Sequence, residues 1–302
     1  MQIGCHGSVW TGSFDSAGLA KAIAGTASAG FDLIEIPLMD PDGLNVAEAR
    51  KLLTDHGLGV TASLGLTPAT DVSSESTDVV AAGEHHLNRC LEVLSDLGGT
   101  HLVGVIYSSM QKYMDPATPL GRRHSQDVIG RLAARGKKLG VVVGIEVVNR
   151  YESNLINTAR QALRFLDEPL DAGKDERAVV HLDTYHMNIE EPDMASPVLD
   201  VGDRLGYVHI GESNRGYVGS GTVDFDTFFK ALFRIGYDGP IVFESFSSAI
   251  VHPELSRMLG VWRNLWDDPA DLADHANATI RSHVRSSGSR VRMRWRHCDQ
   301  VR

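Results

Sequence analysis

The chain repeats one pattern eight times: a short run of β-branched and aliphatic residues, followed by a stretch of helical character. The apolar runs fall near Ile3–Cys5, Leu33–Ile36, Val60–Ser63, Leu102–Ile106, Val141–Val147, Val179–Leu182, Tyr207–Ile210 and Ile241–Phe243. Most are near-continuous rather than alternating, as expected of parallel strands covered on both faces. Amphipathic stretches lie between them at Ala17–Ala29, Val46–His56, Glu84–Leu97, Ser125–Leu139 and Asp226–Ile235. Gly30, Gly57, Gly140 and Gly236 stand just before the next strand, where a helix ends on a left-handed residue. A last helical region covers roughly Glu254–Arg285, with Trp262 and Trp266 spaced i, i+4 for packing against the protein body or a neighbouring subunit.

Eight strand–helix units in about 285 residues predict a single (β/α)8 TIM barrel, an α/β fold in one domain. A doubly wound open sheet is the alternative, but no G-x-G-x-x-G follows the first strand. Residues 286–302 differ in kind: a Ser/Gly segment leads into Arg290, Arg292, Arg294, Arg296 and finally Arg302. The expectation is a barrel over 1–285 and a flexible arginine-rich tail. With 29 basic against 39 acidic residues, the net charge of −10 disfavours a nucleic-acid partner. Three scattered cysteines without a CxxC spacing argue against a disulfide framework or thiolate zinc site. The N-terminal residues carry no secretion signal, and the longest apolar stretch, Val141–Val148, is interrupted by Gly144 and Glu146. These features predict a cytoplasmic protein with no membrane contact.

In such barrels chemistry gathers at the C-terminal ends of the strands. Strands five to eight place Glu146, Asp183, His209 and Glu244 at equivalent depth there. Each has an ordinary structural explanation when taken alone, but three converging buried carboxylates need a compensating cation. Carboxylates and an imidazole without thiolate suit Mn²⁺, Mg²⁺ or Co²⁺, and Zn²⁺ also accepts such ligands. An octahedral ion with four protein ligands keeps two positions for a chelating substrate, a geometric reason to think of sugars. Glu152, His186, Arg215 and His6 follow strands as a polar rim, and Trp10, Tyr107 and Phe246 are candidates for an apolar wall. Gly216, Gly219 and Gly221 beside Arg215 also fit a phosphate cradle, although no second glycine cluster follows strand eight.

Four ordered segments carry a resemblance: GIEVVNRYESNLINT (Gly144–Thr158), HLDTYHMNIEE (His181–Glu191), YVHIGESNRGYVGSGTVDF (Tyr207–Phe225) and GPIVFESFSS (Gly239–Ser248). Through them the chain resembles the ketose 3-epimerases of the sugar-phosphate isomerase/xylose isomerase-like barrels, those acting on D-tagatose, D-allulose (psicose) and L-ribulose. The resemblance implies one divalent metal per subunit, Mn²⁺ foremost with Co²⁺ or Mg²⁺ as alternatives, held by Glu146, Asp183, His209 and Glu244. It also implies substrate contacts from Glu152, His186 and Arg215, and a homodimer or homotetramer. His6 stands near where several family members carry an aromatic, which alters the distal end of the sugar site.

The expected reaction inverts C3 of free, non-phosphorylated ketoses, with Glu146 and Glu244 moving the proton on opposite faces of a cis-enediolate that the metal stabilises. An aldose–ketose isomerase on the same scaffold is the nearest alternative. A non-catalytic sugar-binding protein and an abasic-site endonuclease are more remote, the latter wanting a basic groove.

Overall fold

Parallel strands close on themselves in chain order: β1 (Ile3–His6), β2 (Leu33–Pro37), β3 (Gly59–Leu66), β4 (His101–Ser109), β5 (Val142–Val147), β6 (Val179–Asp183), β7 (Leu205–Ile210) and β8 (Ile241–Phe243). The ring is sealed where Ile3 and Cys5 of β1 pair with Ile241 and Phe243 of β8. This computed structural model describes residues 1–168 and 178–298, with side chains described through residue 287. The expected (β/α)8 TIM barrel is the fold, and each expected strand is present with ends shifted by a few residues.

Around the barrel lie α1 (Ser16–Ser28), α2 (Val46–His56), α3 (Thr77–Leu97), α4 (Pro119–Leu139), α5 (Ala159–Asp167), α6 (Thr184–Glu190), α7 (Ser196–Val201), α8 (Phe225–Arg234), α9 (Pro253–Leu259) and α10 (Pro269–Cys298). Local chemistry starts them: Asp15, Asn45, Thr118 and Asp224 accept backbone N–H groups at the first turns of α1, α2, α4 and α8. The short α5 lacks a long apolar stripe, yet Thr158 and Gln161 form a reciprocal capping box that marks its start. Gly140 ends α4 at φ 72°, and the Val141 N–H turns back to the Gly136 carbonyl at 2.8 Å.

The C-terminal region departs from expectation. Glu254–Arg285 is not one helix, because α9 stops at Gly260 with φ 65° and α10 starts at Pro269. Trp262 and Trp266 therefore share no helix face. Trp266 is buried and donates its indole N–H to Ser245 Oγ at 2.8 Å, whereas Trp262 is 73% exposed. The proposed boundary at residue 285 falls inside α10, and the side chains of Arg290, Arg292, Arg294 and Arg296, with residues 299–302, lie outside the described residues.

The barrel interior positions the site. Leu33, Val103, Tyr207 and Val242 form a small apolar cluster of their own, separate from the large core between strands and helices. Two residues further along the strands, at the same inward phase, stand Glu35, His209 and Glu244. The outward phase, such as Ile34, Ile36, Val208 and Ile210, feeds the main core. The upper interior is thus polar while the outside of the sheet is apolar.

Two glycines separate conformational cost from close approach. At Gly140 an added Cβ meets nothing within 4 Å, so Gly140→Ala carries only the left-handed penalty of about 1–2 kcal/mol. At Gly104, with φ 112°, an added Cβ would sit 2.3 Å from the Leu64 carbonyl oxygen of the adjoining strand. Gly104→Ala is therefore expected to cost about 3 kcal/mol or more. Thermal unfolding of both variants checks this; equal losses would show that the β3–β4 contact is not tight.

Candidate active site

The strand ends bring Glu146, Asp183, His209 and Glu244 together at the C-terminal mouth of the barrel. Asp183 is paired with His209 in the β6–β7 register, and the Glu244 N–H bonds the Ile210 carbonyl at 3.1 Å, so the three enter from neighbouring positions. His209 Nδ1 lies 3.8 Å from Glu146 Oε1 and 3.7 Å from Glu244 Oε2. Asp183 Oδ2 and His209 Nδ1 are buried and have no hydrogen-bond partner. Among the described residues three overlapping groups, Glu146–His181–His209, Glu146–Asp183–His186 and Asp183–His209–Glu244, each present potential ligand atoms within 4.8 Å of one another. These carboxylate and imidazole groups could hold a metal ion. Hard oxygen donors and orphaned imidazole nitrogens on His181 and His209, with no thiolate in these groups, fit a hard or borderline divalent cation.

Glu35 of β2 is the residue that sequence reasoning missed. It is fully buried, accepts from His209 Nε2 at 2.8 Å and from the Tyr207 hydroxyl at 2.6 Å. Its second oxygen faces His6 Nε2 at 3.6 Å. A proton held on Nε2 by Glu35 leaves the Nδ1 lone pair of His209 directed at the cluster, the carboxylate–histidine arrangement that orients metal-binding imidazoles. The signal was present in the sequence: Leu-Ile-Glu-Ile-Pro embeds a charge in an apolar strand, as the fifth strand does around Glu146.

The electrostatics separate the carboxylates. Burial raises the pKa of Glu146 well above the usual range, and the nearby Glu244 and Asp183 charges add to it. Burial likewise pushes Asp183 up to about 7. For Glu244 burial acts in the same sense, but His209 and Arg215 outweigh it and hold the group low. Burial opposes the charged form of His209, yet Glu35 and Glu244 prevail and push it up to about 10.

The rim residues converge on the same place. His186 Nε2 lies 3.6 Å from Glu146 Oε1, 3.5 Å from Asp183 Oδ2 and 3.9 Å from Glu152 Oε2. Its Nδ1 accepts from the Asn149 backbone N–H at 3.1 Å, which assigns the ring proton to Nε2. That nitrogen is a donor rather than a ligand. Asn149, also unforeseen, uses its side-chain amide to reach both Glu152 Oε1 and His186 Nδ1 at 2.9 Å. Arg215 donates to Glu244 at 2.6 Å, and its guanidinium stands 3.6 Å from the centre of the Tyr185 ring. Among the described residues it is the one non-glycine with positive φ, at 59°, a strained conformation fixed where Ser245 Oγ bonds its carbonyl at 2.5 Å.

His6, Glu146, Glu152, His186, His209, Arg215, Glu244 and Phe246 line one cavity with about 580 Å³ of unfilled space, open solvent at its mouth included. Leu255, Met258 and Leu259 of α9 cover one side. Phe246 and His6 meet edge to face at 5.7 Å. Two aromatics expected at this wall are elsewhere. Trp10 turns its ring onto Gly25 of α1, where an added Cβ would be 2.5 Å from the indole. Tyr107 is fully buried, packed on Phe165 of α5 with its hydroxyl bonded to the Ile156 carbonyl at 3.2 Å.

The glycine loop after β7 is not a phosphate cradle. Its N–H groups already serve an internal anion: Glu212 accepts from Ser213 at 2.7 Å, Gly219 at 2.8 Å and Val223 at 3.3 Å. At Gly221 a Cβ would come within 2.3 Å of Glu212 Oε1, so the missing side chain makes room for that carboxylate.

A sequence model of the xylose isomerase-like TIM barrels matches residues 23–278. The chain is 60% identical over 284 residues to the ketose 3-epimerase of Arthrobacter globiformis, covering 94% of this chain and 97% of that one. It is 52% identical over 281 residues to the L-ribulose 3-epimerase of Methylomonas sp. (strain DH-1), covering 93% and 97%. The crystal structure of a D-allulose 3-epimerase from Methylomonas sp. in complex with D-allulose superposes with a TM-score of 0.90 at 51% identity, covering 94% of this chain and 97% of that chain. Among the described residues no helix is long and apolar enough to cross a membrane. With this barrel and this relationship over nearly its whole length, the chain belongs to the xylose isomerase-like TIM-barrel family and, within it, to the ketose 3-epimerases, carbohydrate isomerases.

Proposed function

We propose that this epimerase inverts C3 of free ketoses such as L-ribulose, D-allulose/D-fructose and D-tagatose, with Glu146 and Glu244 as the two proton-transfer groups. The observation that carries the reading is the placement of both carboxylates within 4 Å of His209 Nδ1 from strands β5 and β8, at the base of one cavity. Inversion requires a base on one face of C3 and an acid on the other. One glutamate takes the C3 proton, the C3–H electrons form the C2–C3 double bond and the carbonyl oxygen gains the charge. The other glutamate returns a proton to the opposite face of the cis-enediolate. Reversing the direction exchanges the roles.

Glu146, Asp183, His209 and Glu244 would hold one divalent ion, with Mn²⁺ the first choice and Co²⁺ or Mg²⁺ as alternatives. Its chemistry when bound is positive charge beside the reacting oxygens, which stabilises the developing enediolate charge. The neutral His186 donates its Nε2–H to a sugar oxygen near C2, Arg215 supplies a cationic donor and Glu152 accepts from a hydroxyl. These contacts fix which carbon faces the glutamates. Relatives named for L-ribulose, and one crystallised with D-allulose, support the choice of free ketoses.

Glu146→Gln and Glu244→Gln should each lower epimerisation by about 10³-fold while the far-ultraviolet spectrum stays unchanged. Conversion of L-ribulose and D-fructose, with deuterium incorporation at C3 in D₂O, measures it; near-normal turnover in either variant would remove the two-base assignment, and an aldose product would indicate the isomerase alternative.

Metal uptake should release protons. In the ion-free protein His209 keeps its proton up to about 10 and Asp183 titrates at about 7, so both lose protons on becoming ligands. Apparent affinity for Mn²⁺ then rises with pH between 6 and 8, by about tenfold per unit for each proton displaced. Calorimetry in buffers of different ionisation heat reads this directly, and a pH-independent affinity would argue against these ligands.

Glu35→Gln should weaken Mn²⁺ binding by about 10–100-fold through loss of the His209 orientation. Titration of the purified variant with Mn²⁺ tests this without reference to turnover, and unchanged affinity would leave Glu35 a purely structural role.

A further inference from the structure

A second cavity adjoins the first. It holds about 1440 Å³ of unfilled space, open solvent included, and shares Pro37, Met39, Leu255 and Met258 with the active-site cavity as a common wall. Two of those four are methionines at the surface, Met39 at 39% and Met258 at 37% exposure, side chains that reshape easily around a ligand. Its remaining walls come from the segments after β1 and β2, from Thr67 just after β3 and from the start of α9.

Position in the barrel decides which end of a sugar it receives. The reacting carbons face Glu146, Asp183, His209 and Glu244, and the groups assigned to the oxygens near C2 follow β5, β6 and β7. The second cavity lies across the mouth, beyond β1 and β2. A ketohexose held by C1–C3 at the cluster therefore extends its far end, C6, toward Met39 and Met258.

The chemistry of the lining decides what can follow C6. Phe14 and Leu44 offer apolar faces, Ser13 and Thr67 carry hydroxyls, and Asp40 and Glu254 are acidic. Asp15 is acidic too, though its carboxylate is engaged by the Gly18 N–H at 2.9 Å. Among the described residues no lysine or arginine lines the space, and His252 is its one histidine. Alternating apolar faces and hydrogen-bonding oxygens match the CH faces and hydroxyls of a pyranose. A phosphate would meet carboxylates with no lysine or arginine to offset them, and one imidazole, His252, whose Nδ1 already accepts the Glu254 N–H at 3.3 Å.

We propose that the enzyme also epimerises ketohexoses carrying a neutral glycosyl group on O6, that group occupying the second cavity, and that it discriminates against 6-phosphates. The proposal rests on the epimerase reading above and extends its substrate class. The bond changes at C2 and C3 are those already described, because a 6-O-linked ketose keeps its C2 carbonyl free.

The test follows C3 deuterium incorporation in D₂O with D-fructose, 6-O-α-D-glucopyranosyl-D-fructose and D-fructose 6-phosphate, using the Mn²⁺-loaded enzyme. The disaccharide should react with kcat/KM within about tenfold of D-fructose, and the phosphate about a hundredfold or more below it. Leu44→Trp, which narrows the second cavity away from the reacting carbons, should lower kcat/KM for the disaccharide by about tenfold or more and change D-fructose less than about twofold. Glu254→Lys, at an exposed position, should raise activity on the 6-phosphate and leave D-fructose unchanged. Exchange with D-fructose but none with the disaccharide overturns the proposal, as does an equal effect of Leu44→Trp on both sugars. Unaltered discrimination against the phosphate in Glu254→Lys overturns its electrostatic part. Absence of exchange with every free ketose would instead overturn the epimerase reading itself.

Discussion

Carboxylates buried inside an apolar barrel set the terms for the rest of the molecule. Glu35, Glu146, Asp183 and Glu244 are all nearly inaccessible to water, and among the described residues their nearby cationic partners are His209 and Arg215, with His6, His181 and His186 held neutral by burial. Such an arrangement is costly unless opposite charge is supplied, since effective desolvation runs to several kcal/mol per ion. The protein distributes the compensation unevenly. Glu35 and Glu244 are held ionised by His209 and its neighbours, while Glu146 and Asp183 are left short of charge. The deficit is localised where Asp183 Oδ2 and His209 Nδ1 lack hydrogen-bond partners. A divalent cation held by these groups would remove it.

The supporting residues keep that deficit in place. Glu35 fixes one imidazole from beneath, and Asn149 fixes another from the side by taking up His186 Nδ1. Arg215 needs a left-handed backbone to lay its guanidinium between Tyr185 and Glu244, and the loop that imposes it is organised around the buried Glu212 carboxylate. Thus Gly219, by its N–H, and Gly221, by the room it leaves, serve an anion belonging to the chain itself.

Much of the fold and of the central cluster was legible in the residue order, and the misses have physical reasons. Glu146, Asp183, His209 and Glu244 share an inward phase at the ends of adjoining parallel strands, so counting along the strands places them together. Glu35 obeys the same rule but belongs to β2, and its role appears only when β2 and β7 face each other across the barrel. Asn149 sits within a quoted motif, yet an asparagine in a loop has no periodicity to declare its partners. Tyr107 and Trp10 were misplaced because an aromatic near a strand end can face the cavity or the helix layer. In β4 the register with β3 shifts beyond Gly65, so simple alternation does not carry to Tyr107.

Sequence alone determined the eightfold strand–helix alternation and the polar residues at the strand ends, because these depend on local period and composition, while the resemblance to epimerases rests on four ordered motifs. Tertiary structure decided which nitrogen of His209 and of His186 faces the cluster, which glycine amide is already occupied and which residues the active-site cavity shares with its neighbour. Those outcomes depend on contacts between residues far apart in the chain, and hydrogen-bond direction and cavity shape exist only once the barrel has closed.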